Sequence, residues 1–342
     1  MSRRTHDVPS PERPPAEIEL PGTHLEPGEA PRGRNHRMLR RVVVAAIAVV
    51  LLVLGSIIGY GVYLDHLVQS SLTRESLLPS DHGTADGASR DDGPMNILVV
   101  GSDKRHGESV GRSDVMVVAH LDGARRHVTL IHLPRDMQVP IPGHGSDKIN
   151  AAYALGGSTL LVRTVQDLMG ITINHVAITD FDGFTAMTDA IGGIDVDVAE
   201  ASPGFPVGRA HLDGSQALAF VRERYHLAEG DISRGRRQQA FLKGLLLKAV
   251  SGQTVGDPRK ATAFVDAVAR HTTVDDQLTA DVVRSLAVQM RSLRGGDISF
   301  VTAPISGFAT RPDGAAIDVV DLPRMKALGA ALAEDRMSTF RG

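Results

Sequence analysis

From Val42 to Leu64 the chain carries no charge, an apolar run bounded by Arg41 and Asp65. As a helix it would extend about 34 Å at about 1.5 Å per residue, enough to cross a bilayer core of about 30 Å. The pattern predicts a transmembrane helix over 42–64, because the run is too long for a secretion signal's apolar core and no small-residue cleavage site closes it. Beyond it the apolar positions come in short units. Residues 96–100 read as a buried strand, the polar loop GSDKRHGESVGRSD follows, and a second strand is predicted over 115–121. Asp122-Gly123 signals a tight turn before a third strand over 127–133, which makes an antiparallel meander. Helical spacing governs 158–169, with Gly170 as its C-cap, and 232–250. Further strands are predicted over 175–181, 193–198 and 298–303, while 217–225 reads as a strand or a helix end. Interleaved helices and strands predict an α/β fold, three-layer α/β/α with a mixed, partly antiparallel central sheet.

Composition sets the boundaries around that pattern. Residues 1–41 are rich in Pro, Glu and Arg without apolar periodicity and read as a disordered tail. Arg32, Arg34, Arg37, Arg40 and Arg41 precede the apolar run, which puts the tail on the cytoplasmic side and everything after Leu64 outside the cell membrane. Residues 65–94 drift into DHGTADGASRDDGP and read as a flexible extracellular stalk. A folded domain opens at Met95, with its motifs ending near 250 and residues 251–342 continuing it. The formal net charge of −3 gives no reason to invoke nucleic acid. Absence of cysteine excludes disulfide scaffolds, thiol catalysis and thiolate metal sites. Absence of tryptophan, with only 4% aromatic residues, argues against an aromatic sugar platform.

Alternating strand direction gathers three clusters at one edge of the sheet. Asp103 ends the first strand, Asp114 begins the second, and Pro134-Arg135-Asp136 ends the third. The loop between them, with Lys104, Arg105 and Arg112, would alone read as a solvated loop; Arg135 and Asp136 shift that balance. Two carboxylates without cysteine suit a hard cation such as Mg²⁺, which shares its shell with water and phosphate oxygens. Arginines are the forked donors that bind phosphate bidentately.

A second cluster lies in VRERYHLAEGDISRGRRQQAF. Arg222 and Arg224 share a face if that segment is extended. Arg234 and Gln238 share a helix face, and Asp231 sits at that helix's N-terminus, where anions are favoured. A surface ion-pair network is the plainer alternative, but exposed pairs contribute under about 1 kcal/mol each and give weak reason to concentrate arginines. His120, His132, His144 and His175 lack ligand spacing and read as structural or surface residues. Asp195 and Asp197 alternate in a strand and face solvent. No GxSxG elbow, P-loop or GxGxxG is present.

The segments NILVVGSDKR, GRSDVMVV, VTLIHLPRDMQVPIPG, KINAAYALGG, GFTAMTDAIGGIDVDV, HLDGSQALAFVRER and DISRGRRQQAFLKGLL resemble, in family order, the LytR-CpsA-Psr (LCP) family of bacterial cell-wall glycopolymer ligases. The resemblance covers roughly Met95 to Val250. It implies an apolar tunnel for a prenyl chain between sheet and helices. It also implies transfer of a glycopolymer from a polyprenyl-pyrophosphate carrier, through a phosphodiester, to a peptidoglycan hydroxyl. By the same resemblance Asp103 and Asp114 hold Mg²⁺, and Arg112 and Arg135 bind pyrophosphate. Arg222, Arg224, Asp231, Arg234 and Gln238 lie over the lipid head. Tyr225 departs from the pattern, since His or Lys is commoner after the RxR pair. Such chemistry needs charge neutralisation and alignment more than a covalent nucleophile. The proton acceptor is left open, with Asp136 a weak candidate. A pyrophosphatase would use the same groups with water as acceptor. A non-catalytic sensor of lipid-linked precursors ranks lower, because the tail carries no signalling module and both aspartates are present.

Overall fold

The structure, a computed structural model, describes residues 59–64, 66, 67, 69–80, 93–102, 113–337 and 340, with the side chains of Asp114 and Asp231 excepted. The expected tail, most of the predicted span, Asp103 and Arg112 lie outside the described residues. Among the described residues no helix is long and apolar enough to cross a membrane.

The predicted meander forms the middle of a seven-stranded sheet. Strand β2 (Met95–Ser102) pairs antiparallel with β3 (Ser113–Leu121), which pairs antiparallel with β4 (Val128–His132). Beside β2 lies parallel β7 (His175–Thr179), then antiparallel β10 (Thr272–Asp275), then β1 (Thr73–Glu75), parallel to β10. At the other edge β11 (Ile298–Thr302) runs parallel to β4. The sheet is thus mixed, as expected, but it draws two strands from beyond Val250. The expectation of a flexible stalk fails for the described part of it: β1 joins the sheet, and Leu77 and Leu78 enter the core at 5% and 6% exposure. Their apolar pair was diluted in sequence by the polar run that follows.

One sheet face is packed by α1 (Ile149–Met169) and α8 (Leu322–Ala333), together with β5 (Met137–Ile141). The predicted helix over 158–169 is the part of α1 after a break at Gly156-Gly157, where Gly157 takes φ +64°. That glycine pair interrupts the helical period, which hides the helix's first turns in the sequence. Gly170, at φ +67°, supplies the expected C-cap. Strand β5 joins a second sheet with β6 (Gly145–Lys148), β12 (Ile305–Thr310) and β13 (Ala316–Val320).

The opposite face is covered by α4 (Asp231–Ala249) and α7 (Ala280–Gln289). A third cluster joins α2 (Phe181–Ala190), α3 (Gly214–Arg222) and α4 to the hairpin β8–β9 (Ile194–Val198, Gly208–Leu212). The segment 217–225 is therefore helical up to Arg222, started by an Asp213/Gln216 capping box. After α4 come the single turn α5 (Gly252–Val255) and α6 (Pro258–His271), which feeds directly into β10.

Candidate functional site

Parallel and antiparallel pairing brings the C-terminal ends of β2, β4, β7 and β11 to one sheet edge with the start of β3. At that edge Gly101 pairs with Val115 and Ser102 with Ser113, so Asp114 is the extra residue of a β-bulge. Asp103 follows directly on Ser102. Beyond His132 the chain turns through Arg135 into β5, pinned by hydrogen bonds from Asn150 N to Arg135 O (3.3 Å) and from Asp318 N to Asp136 O (2.9 Å). Arg135 Nε lies 3.4 Å from Asp136 Oδ2, and Lys148 Nζ donates to Asp136 Oδ1 at 2.6 Å. Asp136 thus faces two cations and serves to hold them.

The second cluster reaches the same edge. Gly235 of α4 lies against His132; a Cβ there would come within 2.6 Å of the imidazole Nε2. Arg234, 8% exposed, stands beside His132, three residues before Arg135 in the chain. Gln239 donates to Val301 O on β11 at 3.2 Å, which sets α4 across the strand ends. Gln238 is buried with its Oε1 unpartnered among the described residues, and so is Ser113 Oγ at the bulge. Arg222 ends α3 and lies over the Phe181 ring at 4.5 Å, just past the end of β7. β7 and β4 are three strand spacings apart, about 14 Å, a gap that long arginine side chains on both flanks can close.

Arg222 and Arg224 do not share an extended face, because Arg222 is the helix terminus and only Glu223 is extended. Arg224 instead donates to the Tyr225 hydroxyl (2.7 Å), and Tyr225 stands 80% exposed.

Three groups escaped the sequence reading. His132, read as structural or surface, is buried beside Arg234: burial first, and then the charge of Arg234, push its pKa down to about 4, so it is neutral near pH 7. Its position three residues before Arg135, at a strand end, was the signal available. Lys148 was hidden in β6, a strand without apolar alternation. Arg237 is buried over Phe220 and donates to Glu200 O at 2.8 Å, bracing α4 against the β8–β9 region; burial lowers its pKa. The other histidines behave as expected: His120 bonds to Asn96 Oδ1 (2.8 Å), His175 pairs with Asp275 (3.2 Å), and His144 is exposed. Asp195 and Asp197 are exposed on β8.

Beneath this edge the two sheet faces differ. On the α1 face Leu98, Val100, Met116, Val118 and Val176 are fully buried. On the α4 face Val117 is fully buried, whereas Ile97, Val99, Val115 and Ala177 stay half-buried although they belong to inner strands. Half-buried Leu242, Leu246 and Leu286 cover that face. A cavity of about 760 Å³ lies along β11, between His120 and Phe300, and includes none of the expected site residues. Among the described residues no group of three or more His, Asp or Glu is placed to hold a metal ion.

Residues 64–333 match the model of the LytR_cpsA_psr family. The chain is 29% identical over 346 residues to the cell wall biosynthesis protein LcpA of Corynebacterium glutamicum, covering 86% of this chain and 65% of LcpA. It is 33% identical over 250 residues to the polyisoprenyl-teichoic acid–peptidoglycan teichoic acid transferase TagU of Halalkalibacterium halodurans, covering 68% of this chain and 81% of TagU. Its fold matches TagT bound to LI-WTA with a TM-score of 0.61 at 25% identity, over 78% of this chain and 98% of that one.

Proposed function

The chain belongs to the LytR-CpsA-Psr family, and on that premise we propose that it is a membrane-anchored phosphotransferase of the bacterial cell surface. It moves a glycopolymer from a polyprenyl-pyrophosphate carrier to a peptidoglycan hydroxyl. The observation that carries this reading is the juxtaposition of a basic edge with an apolar face. Arg135, Arg222 and Arg234 stand at the strand ends, and half-buried apolar side chains run beneath them on the α4 face. A pyrophosphate at the edge would let a prenyl chain lie along Ile97 and Val99 under Leu242 and Leu246, where such a tunnel belongs.

The arginines do the positioning. Bidentate contacts from Arg135 and Arg234, joined by Arg112, hold the two phosphates so that the sugar hydroxyl meets the glycan-side phosphorus in line. A phosphodiester forms to the acceptor, the bond to the bridging oxygen breaks, and the hydroxyl proton leaves with the released polyprenyl phosphate. With His132 neutral, Arg234 carries the positive charge offered here to the departing phosphate. Arg224, Asp231 and Gln238 complete the contacts over the lipid head.

The donor set fits Mg²⁺. Asp103 follows Ser102 in the chain and Asp114 is the bulge residue of β3, and among the described residues the buried oxygens of Ser113 and Gln238 have no partner. Asp103 and Asp114 would hold the ion, which when bound supplies charge neutralisation on the phosphate oxygens.

Paired substitutions test the reading. Asp103→Asn is expected to lower transfer by on the order of a hundredfold while leaving retention of the lipid substrate nearly intact. Arg135→Ala is expected to weaken both. Transfer assays on lipid-linked glycan, with and without peptidoglycan, read the outcome. Undiminished transfer in Asp103→Asn at saturating Mg²⁺ removes the metal assignment, and release of glycan phosphate independent of peptidoglycan makes the protein a pyrophosphatase.

A further inference from the structure

The segment that leads out of the apolar run is bolted to the folded domain at two points. Residues 59–64 are helical, and the Tyr60 hydroxyl donates to Pro258 O at 2.9 Å, with Thr262 Oγ1 at 3.1 Å. Further on, β1 pairs parallel with β10, the strand that α6 feeds. The lead-in and α6–β10 therefore run side by side in the same direction, Tyr60 at the start of α6 and Thr73 level with Thr273.

Tyr60 and Tyr63 close the uncharged run, and tyrosine is favoured where a spanning helix passes through the headgroup layer. Whatever is fixed to Tyr60 is fixed at that depth. That is the elbow between α5 and α6, where Val255 stands 65% exposed beside exposed Arg259. Val62 and Tyr63 are likewise exposed, at 63% and 51%. Lys248, which reaches Gln253, and Lys260 add positive charge; Asp257, which caps α6, opposes them. The balance of these groups suits an anionic lipid surface.

We propose that the α5–α6 elbow is a membrane-contacting surface: Tyr60 holds it in the headgroup layer, where Val255 inserts among the lipids and Arg259 meets their phosphates. The occupant is the bilayer itself. α6 then acts as a strut. Its fourteen-residue length, Pro258–His271, measures about 21 Å at about 1.5 Å per residue. It ends where Thr272 pairs with Thr179, at the sheet edge that carries the site. The surface rests on the anchored reading given above, and its test separates the two.

Because the chain has no cysteine, a single one reports its own surroundings. The full chain, carrying Val255→Cys or, at the exposed far end of the lead-in, Glu75→Cys, would be labelled with an environment-sensitive fluorophore. It would be reconstituted in nanodiscs of phosphatidylcholine and phosphatidylglycerol in equal parts. Emission at position 255 is expected to shift to the blue and to be quenched by headgroup-nitroxide lipid several-fold more than at position 75. Water-like emission at both positions, in a chain that still resists alkaline extraction from membranes, overturns the elbow surface and leaves the anchor standing. Release of the chain by alkaline extraction overturns the anchor and the surface with it.

Discussion

Protonating His132 would place a second positive charge against Arg234 inside the fold. Burial already disfavours it, and the fold holds the imidazole pKa at about 4 against 6.5 for the free side chain. Between those two values the unfolded chain binds the extra proton, so the stability from keeping His132 neutral is present above pH 6.5 and is lost as pH falls toward 4. The shift corresponds to about 3 kcal/mol. Denaturant titrations of the wild type and His132→Ser across that window should show a distinctly shallower pH slope in the variant; parallel slopes would contradict the buried, neutral assignment.

At the scale of elements, the join between α1 and α8 allows the least tolerance. A Cβ added at Gly329 would lie 1.6 Å from Met169 O, a backbone atom that cannot swing aside as a side chain would. Gly329→Ala has to push the helices apart in a core where Leu328 and Leu332 are fully buried. It should destabilise by at least about 3 kcal/mol, the upper part of the range for overpacking, and lower the thermal midpoint by several degrees in calorimetry. A midpoint unchanged from wild type would mean that the helices are not in this contact. Strand order in the meander followed from alternation and one Asp-Gly turn. The helical state of 217–222 was decided by its capping box and by burial of Phe220, which residue types in a short window do not reveal.

For the molecule as a whole, the central sheet is closed from both ends of the chain. β1 comes from the lead-in, and β10 and β11 from beyond Val250. A chain ending at Val250 would strip β11 from β4 and β10 from β7, exposing two apolar strand edges. It is expected to show no cooperative thermal transition by circular dichroism and to precipitate. A sharp transition near that of the full chain would show that the sheet stands without them.

The meander and the placing of Asp114 and Arg135 at strand ends were legible in the chain. Each depends on residues close in sequence, whose spacing and strand alternation are local properties. The same holds for the helix that carries Arg234 and Gln238. What tertiary structure decided is which distant segments meet. α4 crosses the ends of β4 and β11, which buries His132 beneath Gly235 and sets Arg234 beside it. Tyr60 finds Pro258, and Ile97, Val99 and Ala177 are left half-buried beneath α4. Those outcomes depend on how helices of given size settle on a sheet of given twist, and no local spacing along the chain encodes that fit.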